Sequence, residues 1–172
     1  MARATLGRQI GRLADAIERV LANGGRVFLF GNGGSAAAAQ HAAAEWIGRF
    51  ESERQALPAI ALTTDSSVLT AVGNDYGFEK VFERQLDGLA GPSDLAIGLS
   101  TSGNSRNVLR GLRAAKRKGA RTAAFLGRGG GLAKGMVDIA IVVPASRVSL
   151  IQEAHDAVLH VLCEEVDRRL KQ

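Results

Sequence analysis

An apolar run, Val27-Phe28-Leu29-Phe30, stops at Gly31-Asn32-Gly33-Gly34-Ser35 and gives way at once to an alanine-rich stretch that reaches Glu45. No other feature constrains the fold of this chain as much. Four consecutive apolar residues read as a buried strand. The glycines let the backbone turn tightly and approach a ligand, and Ser35 is placed to cap a helix of strong formers. A helix start behind a glycine turn is a place for an oxyanion. On that helix His41 and Glu45 stand four residues apart, so they share a face and can reach one point, for proton transfer or for a metal.

The alternation continues along the chain. Helical spacing is expected over residues 6–22, 35–50, 66–72 and 78–89, from Ser105 to about Lys118, and over 148–169. Strands are expected at 27–30, 59–63, 95–99, 121–126 and 139–143, with a loop at Gly73-Asn74-Asp75-Tyr76-Gly77. Continuous apolar strands joined by helical crossovers imply an α/β fold, a five-stranded parallel sheet flanked by helices in a flavodoxin-like three-layer sandwich. Ligands of such sheets sit at the carboxyl ends of the strands. At 172 residues, 46% of them hydrophobic, the chain reads as one domain over 1–172. The apolar faces Ile10, Leu13, Ile17 and Val20, and Val158, Leu162 and Val166, look larger than one small sheet covers, so a homotetramer through the first and last helices is expected.

Composition excludes several classes. The apolar runs are far shorter than the ~20 residues of a membrane span, and the N-terminal stretch carries charges at helical spacing instead of an unbroken apolar core. A cytoplasmic location is expected. A single cysteine, Cys163, rules out an internal disulfide and reads as a small buried apolar residue. The net charge of +5 permits nucleic-acid binding, but aromatics are 5% and none interleaves with Lys116-Arg117-Lys118. That argues against a base-stacking platform; the cluster reads as a solvated helix end.

Three constellations carry chemistry. Gly31-Asn32-Gly33-Gly34-Ser35-Ala36 formally matches a dinucleotide fingerprint, but no acidic residue follows about 20 residues later at a strand end, Asp65 coming too late. Ser100-Thr101-Ser102-Gly103-Asn104-Ser105 offers hydroxyls and turn N–H groups at a helix start, a donor-rich cradle for phosphate. Gln152 and His160 form a second stripe on the last helix, from which His155 departs as a core or interface residue. Two imidazoles, a carboxylate and an amide oxygen suit zinc, and they suit an acid/base pair equally. The roles compete, because a tightly bound carboxylate is a poor base. Gln152 and His160 lie about 12 Å apart in a continuous helix, so either that helix starts irregularly or the site combines subunits. The run Gly127 to Gly131 reads as a plain turn.

Taken in order over residues 6–169, Gly-Asn-Gly-Gly-Ser, His41-x-x-x-Glu45, Gly73-Asn74-Asp75, the Ser100 to Ser105 loop and Ile151-Gln152-Glu153-x-His155 with His160 resemble the phosphoheptose isomerase family of sugar-isomerase (SIS) domain proteins. The resemblance implies conversion of sedoheptulose 7-phosphate into the aldose heptose 7-phosphate that feeds nucleotide-linked heptose synthesis. It also implies a homotetramer with active sites at subunit interfaces. Matched position by position, His41, Glu45, Gln152 and His160 correspond to zinc ligands, and Glu45 and His160 to the proton-transfer pair. Asn32, Gly33, Gly34, Glu45, Asn74, Asp75, Ser100, Thr101, Ser102, Ser105 and Gln152 correspond to substrate-binding positions. Ala38 stands where relatives often carry Asp, and Ser149 where some do. A second reading is a non-catalytic SIS-domain regulator of the kind that binds a replication initiator, which Glu45 argues against. A third is a sugar-phosphate-sensing domain.

Overall fold

The computed structural model describes residues 2–170; Met1, Lys171 and Gln172 of the expected single domain lie outside the described residues. In chain order the elements are α1 (Ala2–Ala22), β1 (Val27–Gly31), α2 (Gly34–Ile47), β2 (Ala59–Ala61), α3 (Ser66–Tyr76), α4 (Val81–Leu89), β3 (Leu95–Ser100), α5 (Arg106–Arg117), β4 (Arg121–Leu126), β5 (Ile139–Val142) and α6 (Val148–Leu170). The strands form one all-parallel sheet in the order β2-β1-β3-β4-β5. The five strands and three layers follow the sequence expectation.

Every residue of β1 and of β3 is buried, because helices cover both faces. Successive strand side chains alternate between two cores. Leu29, Ile97, Leu99, Phe125 and Ile141 pack under α1, α2 and α6. Phe28, Phe30, Ala96, Ala124 and Leu126 pack under α4 and α5.

Three expectations are corrected. Residues 73–76 are not a loop: α3 runs on through Asn74 and Asp75 to Tyr76, with Asp65 accepting from the backbone N–H of Val68 as its cap. One interior glycine costs a helix only about 1 kcal/mol, too little to end it at Gly73. The helix expected over 35–50 stops at Ile47. The faces offered as a spare oligomer surface are already used within one chain. Leu13, Ile17, Val20, Val158, Leu162 and Val166 are all buried in one core, with Ile10 packed against it. The basic helix end is also partly neutralised, since Arg117 pairs with Glu83 and Asp87. Among the described residues no helix is long and apolar enough to cross a membrane.

Candidate functional site

The strand order reverses beside β1, where β1 and β3 lie in register with Gly31 opposite Leu99. The two loops that leave these strands therefore meet at one crevice, the position at which open parallel sheets bind ligands. The cap of α2 is Gly33 at φ 55°, not Ser35, which is buried in the first turn. A left-handed φ is open to glycine at little cost, so the backbone rather than a side chain makes this turn. Asn32 is tied to Asn107 by a reciprocal amide pair, each side chain donating to the other at 2.8 and 2.7 Å. Asn107 also accepts from the N–H of Val108. Asn107 escaped the sequence reading because an amide in the first turn of a charged helix looks like a surface residue; only 3% of it is exposed.

In the second loop the hydroxyls of Ser100 and Ser105 lie 3.1 Å apart, and those of Ser100 and Ser102 3.5 Å apart. Ser105 precedes α5 without making a side-chain cap bond, which leaves its hydroxyl to the cluster. The turn holds itself with Gly103 N–H on Ser100 Oγ and Asn104 N–H on Ser102 Oγ, each at 3.1 Å. Thr101 is half-buried beside them. Gly103 has φ 66°, and a Cβ there would stand 2.0 Å from the carbonyl oxygen of Gly130. The glycine run expected as a plain turn is thus a backing for the serine loop. Leu132 N–H donates to Asn104 Oδ1 at 2.9 Å, and Ala133 N–H to Gly103 O at 3.0 Å. Three clustered hydroxyls, left beside the start of a twelve-residue helix, form a neutral donor cradle suited to a phosphoryl group.

His41, Glu45 and His160 come together elsewhere, between α2 and α6. His41 Nε2 lies 3.1 Å from Glu45 Oε1. The His160 ring meets that of His41 edge-on at 5.1 Å between centroids, and stacks on Phe50 at 5.6 Å. Glu45 is partly exposed and His41 about half exposed, so both are open to a ligand. His155 is not part of this group: it is buried against Phe125, where burial pulls its imidazole below the ordinary range and keeps it neutral. Cys163 is buried as well, its thiol pushed up to about 12 by burial, which leaves it without thiolate reactivity at neutral pH.

Not every expected site residue joins these groups. Gln152 sits against the start of α2, where a Cβ on Gly34 would meet its Nε2 at 2.3 Å. Helix α6 is continuous from Val148 past His160, so an irregular start does not bring Gln152 to His160. Asn74 and Asp75 are exposed on the last turn of α3, where Asn74 donates to Asp75 at 2.8 Å; among the described residues neither bonds the serine loop. The donor chemistry of His41, Glu45 and His160 fits zinc. Their placement in one chain does not: among the described residues no three His, Cys, Asp or Glu side chains surround a common point.

The two groups occupy opposite ends of the sheet. Ser100 ends β3, whereas Trp46, beside Glu45, accepts from the N–H of Leu57 just ahead of the start of β2. Glu45 also lies eleven residues along α2 from Gly34, about 16 Å of helix.

A SIS domain family model matches residues 2–127. The phosphoheptose isomerase of Aquifex aeolicus is 56% identical over 160 residues, covering 93% of this chain and 84% of that protein. The structure of a phosphoheptose isomerase from Neisseria gonorrhoeae superposes with a TM-score of 0.91 at 41% identity, over 97% of this chain and 89% of that one. One from Francisella tularensis gives 0.91 at 37% identity, over 97% and 91%.

Proposed function

Because the chain belongs to the SIS-domain family and, within it, to the phosphoheptose isomerases, we propose that it interconverts sedoheptulose 7-phosphate and D-glycero-D-manno-heptose 7-phosphate. The product would feed nucleotide-linked heptose synthesis in the cytoplasm. The observation that carries the reading is the meeting of His41, Glu45 and His160 from two helices, in a chain that also builds a phosphate cradle.

Ketose–aldose exchange moves a proton between adjacent carbons through an enediolate. It needs a base for the carbon-bound proton, an acid for the oxygen, and a partner for the developing charge. Glu45 lifts the proton from one carbon and returns it to its neighbour, while His160 gives a proton to the carbonyl oxygen of the first sugar and takes one from the hydroxyl oxygen on the adjacent carbon, which becomes the new carbonyl. His41 holds the Glu45 carboxylate in orientation. Ser100, Thr101, Ser102 and Ser105, with the N–H groups opening α5, bind the phosphate. Asn32, Gly33, Gly34, Asn74, Asp75 and Gln152 bind the sugar.

Within one protomer the phosphate cradle and the acid/base pair lie at opposite ends of the sheet. We therefore assign the phosphate cradle and the acid/base pair of each site to different copies in a homotetramer. Zinc, for which His41, Glu45, Gln152 and His160 supply suitable donors but do not converge within one chain, is proposed only where copies assemble; there it would supply Lewis-acid polarisation of a substrate oxygen, and a Glu45 engaged by it would not serve as the base. The proton transfers above are carried by side chains alone. Incubation with sedoheptulose 7-phosphate, with and without a chelator, tests the reading: aldose heptose phosphate should accumulate, and its absence in both arms contradicts the proposal. The initiator-binding regulator and the sensing domain lack a comparable observation.

A further inference from the structure

Arg54 lies on the irregular segment between α2 and β2, outside every group assigned above, yet its side chain and that of Asp167 are only 6% and 7% exposed. Its Nε donates to Asp167 Oδ1 at 2.5 Å, its Nη2 to the carbonyl oxygen of Glu45 at 2.7 Å, and its Nη1 to that of Trp46 at 2.9 Å. Ser52 Oγ donates to the other Asp167 oxygen at 3.2 Å. Glu45 and Trp46 belong to the last turn of α2, whose carbonyls have no partners within the helix and where a cation is favoured by the helix dipole. Asp167 follows His160 by seven residues, two turns along the same face of α6. One guanidinium thus joins the backbone of Glu45 itself to the helix face that presents His160.

We propose that Arg54 and Asp167 are a positioning pair that fixes the separation of Glu45 and His160. The inference rests on the acid/base reading above. The planar fork matters as much as the charge, since Arg54 must reach a carboxylate and two carbonyls in fixed directions, which a lysine ammonium on a flexible stem does not reproduce. Reacting groups displaced by about 1 Å lose on the order of a hundredfold in rate. A contact that only supported the fold would change the melting temperature and leave turnover per folded molecule untouched.

The test compares steady-state kinetics on sedoheptulose 7-phosphate for the wild type, Arg54→Lys, Arg54→Met, Asp167→Asn and Glu45→Gln, at a temperature where circular dichroism shows each protein folded. Arg54→Lys and Arg54→Met should lower kcat about 10- to 100-fold with KM within about threefold of wild type. Asp167→Asn, which keeps shape and an acceptor oxygen, should fall in the same direction by less. Should Arg54→Met fail to fold, the two milder variants decide. Wild-type kcat in folded Arg54→Lys overturns the proposal, as does wild-type kcat in folded Asp167→Asn. Either result beside an inactive Glu45→Gln strikes the positioning pair alone. Wild-type turnover in Glu45→Gln strikes the acid/base reading and the pair with it.

Discussion

The hydroxyl oxygens of Ser100 and Ser105 lie 3.1 Å apart, one at the end of a buried strand and the other just ahead of a helix. The pair places the donor cluster at the strand order's turning point, where the α5 dipole adds to it. Phosphate contacts remote from the reacting carbons act alike on substrate and transition state, so losing them raises KM and spares kcat. Ser102→Ala with Ser105→Ala should raise KM for the phosphosugar about 30- to 150-fold, at roughly 1–1.5 kcal/mol for each of the two lost hydrogen bonds. Unchanged affinity would contradict the assignment.

Gly103→Ala probes the backing of the same loop. The added Cβ meets a backbone oxygen at 2.0 Å in a left-handed conformation, and the conformation alone costs about 1–2 kcal/mol. A lower melting temperature together with weakened phosphosugar binding is expected. Wild-type values for both would show that the loop tolerates displacement from Gly130.

The sequence pattern made the five strands, their parallel sheet and the serine loop readable, because buried strands and glycine turns are local signals. The end of α2 and the helical state of Asn74 and Asp75 were not readable, since a single glycine and a run of polar residues weigh little against helix continuity. Asn107 and Arg54 were invisible for another reason. Each is a polar residue whose burial comes from a distant element, Asn32 for one and Asp167 for the other. The apolar faces of α1 and α6 misled as an interface signal because they cover each other and the sheet. His41 and Glu45 were legible by spacing and His160 by the family resemblance, whereas the placement of Gln152 needed the packing of α6 against Gly34.

The proposed sharing of each site between copies makes a mixing prediction. Glu45→Gln alone should be inactive, and a severe cradle variant carrying Ser100→Ala, Ser102→Ala and Ser105→Ala nearly so. Co-expressed and assayed at substrate far below the cradle variant's raised KM, where that variant alone is nearly silent, the two should regain a substantial fraction of wild-type turnover, because some sites then join an intact cradle to an intact Glu45. Hetero-oligomers that form but remain inactive would place both groups of a site in one protomer.

Acid stability should report Glu165. Hydrogen bonds from Arg168 and Arg169 hold its carboxyl at about 2, below the ordinary 4.5. A depressed carboxylate stabilises the fold above its unfolded pKa, and that contribution is lost as pH falls from about 4.5 towards 2. The group is partly exposed, so the effect is modest and weakens with salt. The melting-temperature difference between wild type and Glu165→Gln should be present at pH 6 and shrink through that window; a difference independent of pH would contradict it.

The central claim is that Glu45 and His160 move the proton. Glu45→Gln keeps shape and an acceptor oxygen but loses the base, and His160→Asn removes the titrating ring. General acid–base groups contribute about 10²–10⁴-fold each, so each variant should turn over at least about a hundredfold more slowly. Melting temperature, zinc content and turnover are measured on the same preparations to separate chemistry from folding. The account predicts folded oligomers with little activity. A folded Glu45→Gln protein that converts sedoheptulose 7-phosphate at near wild-type rate would contradict it.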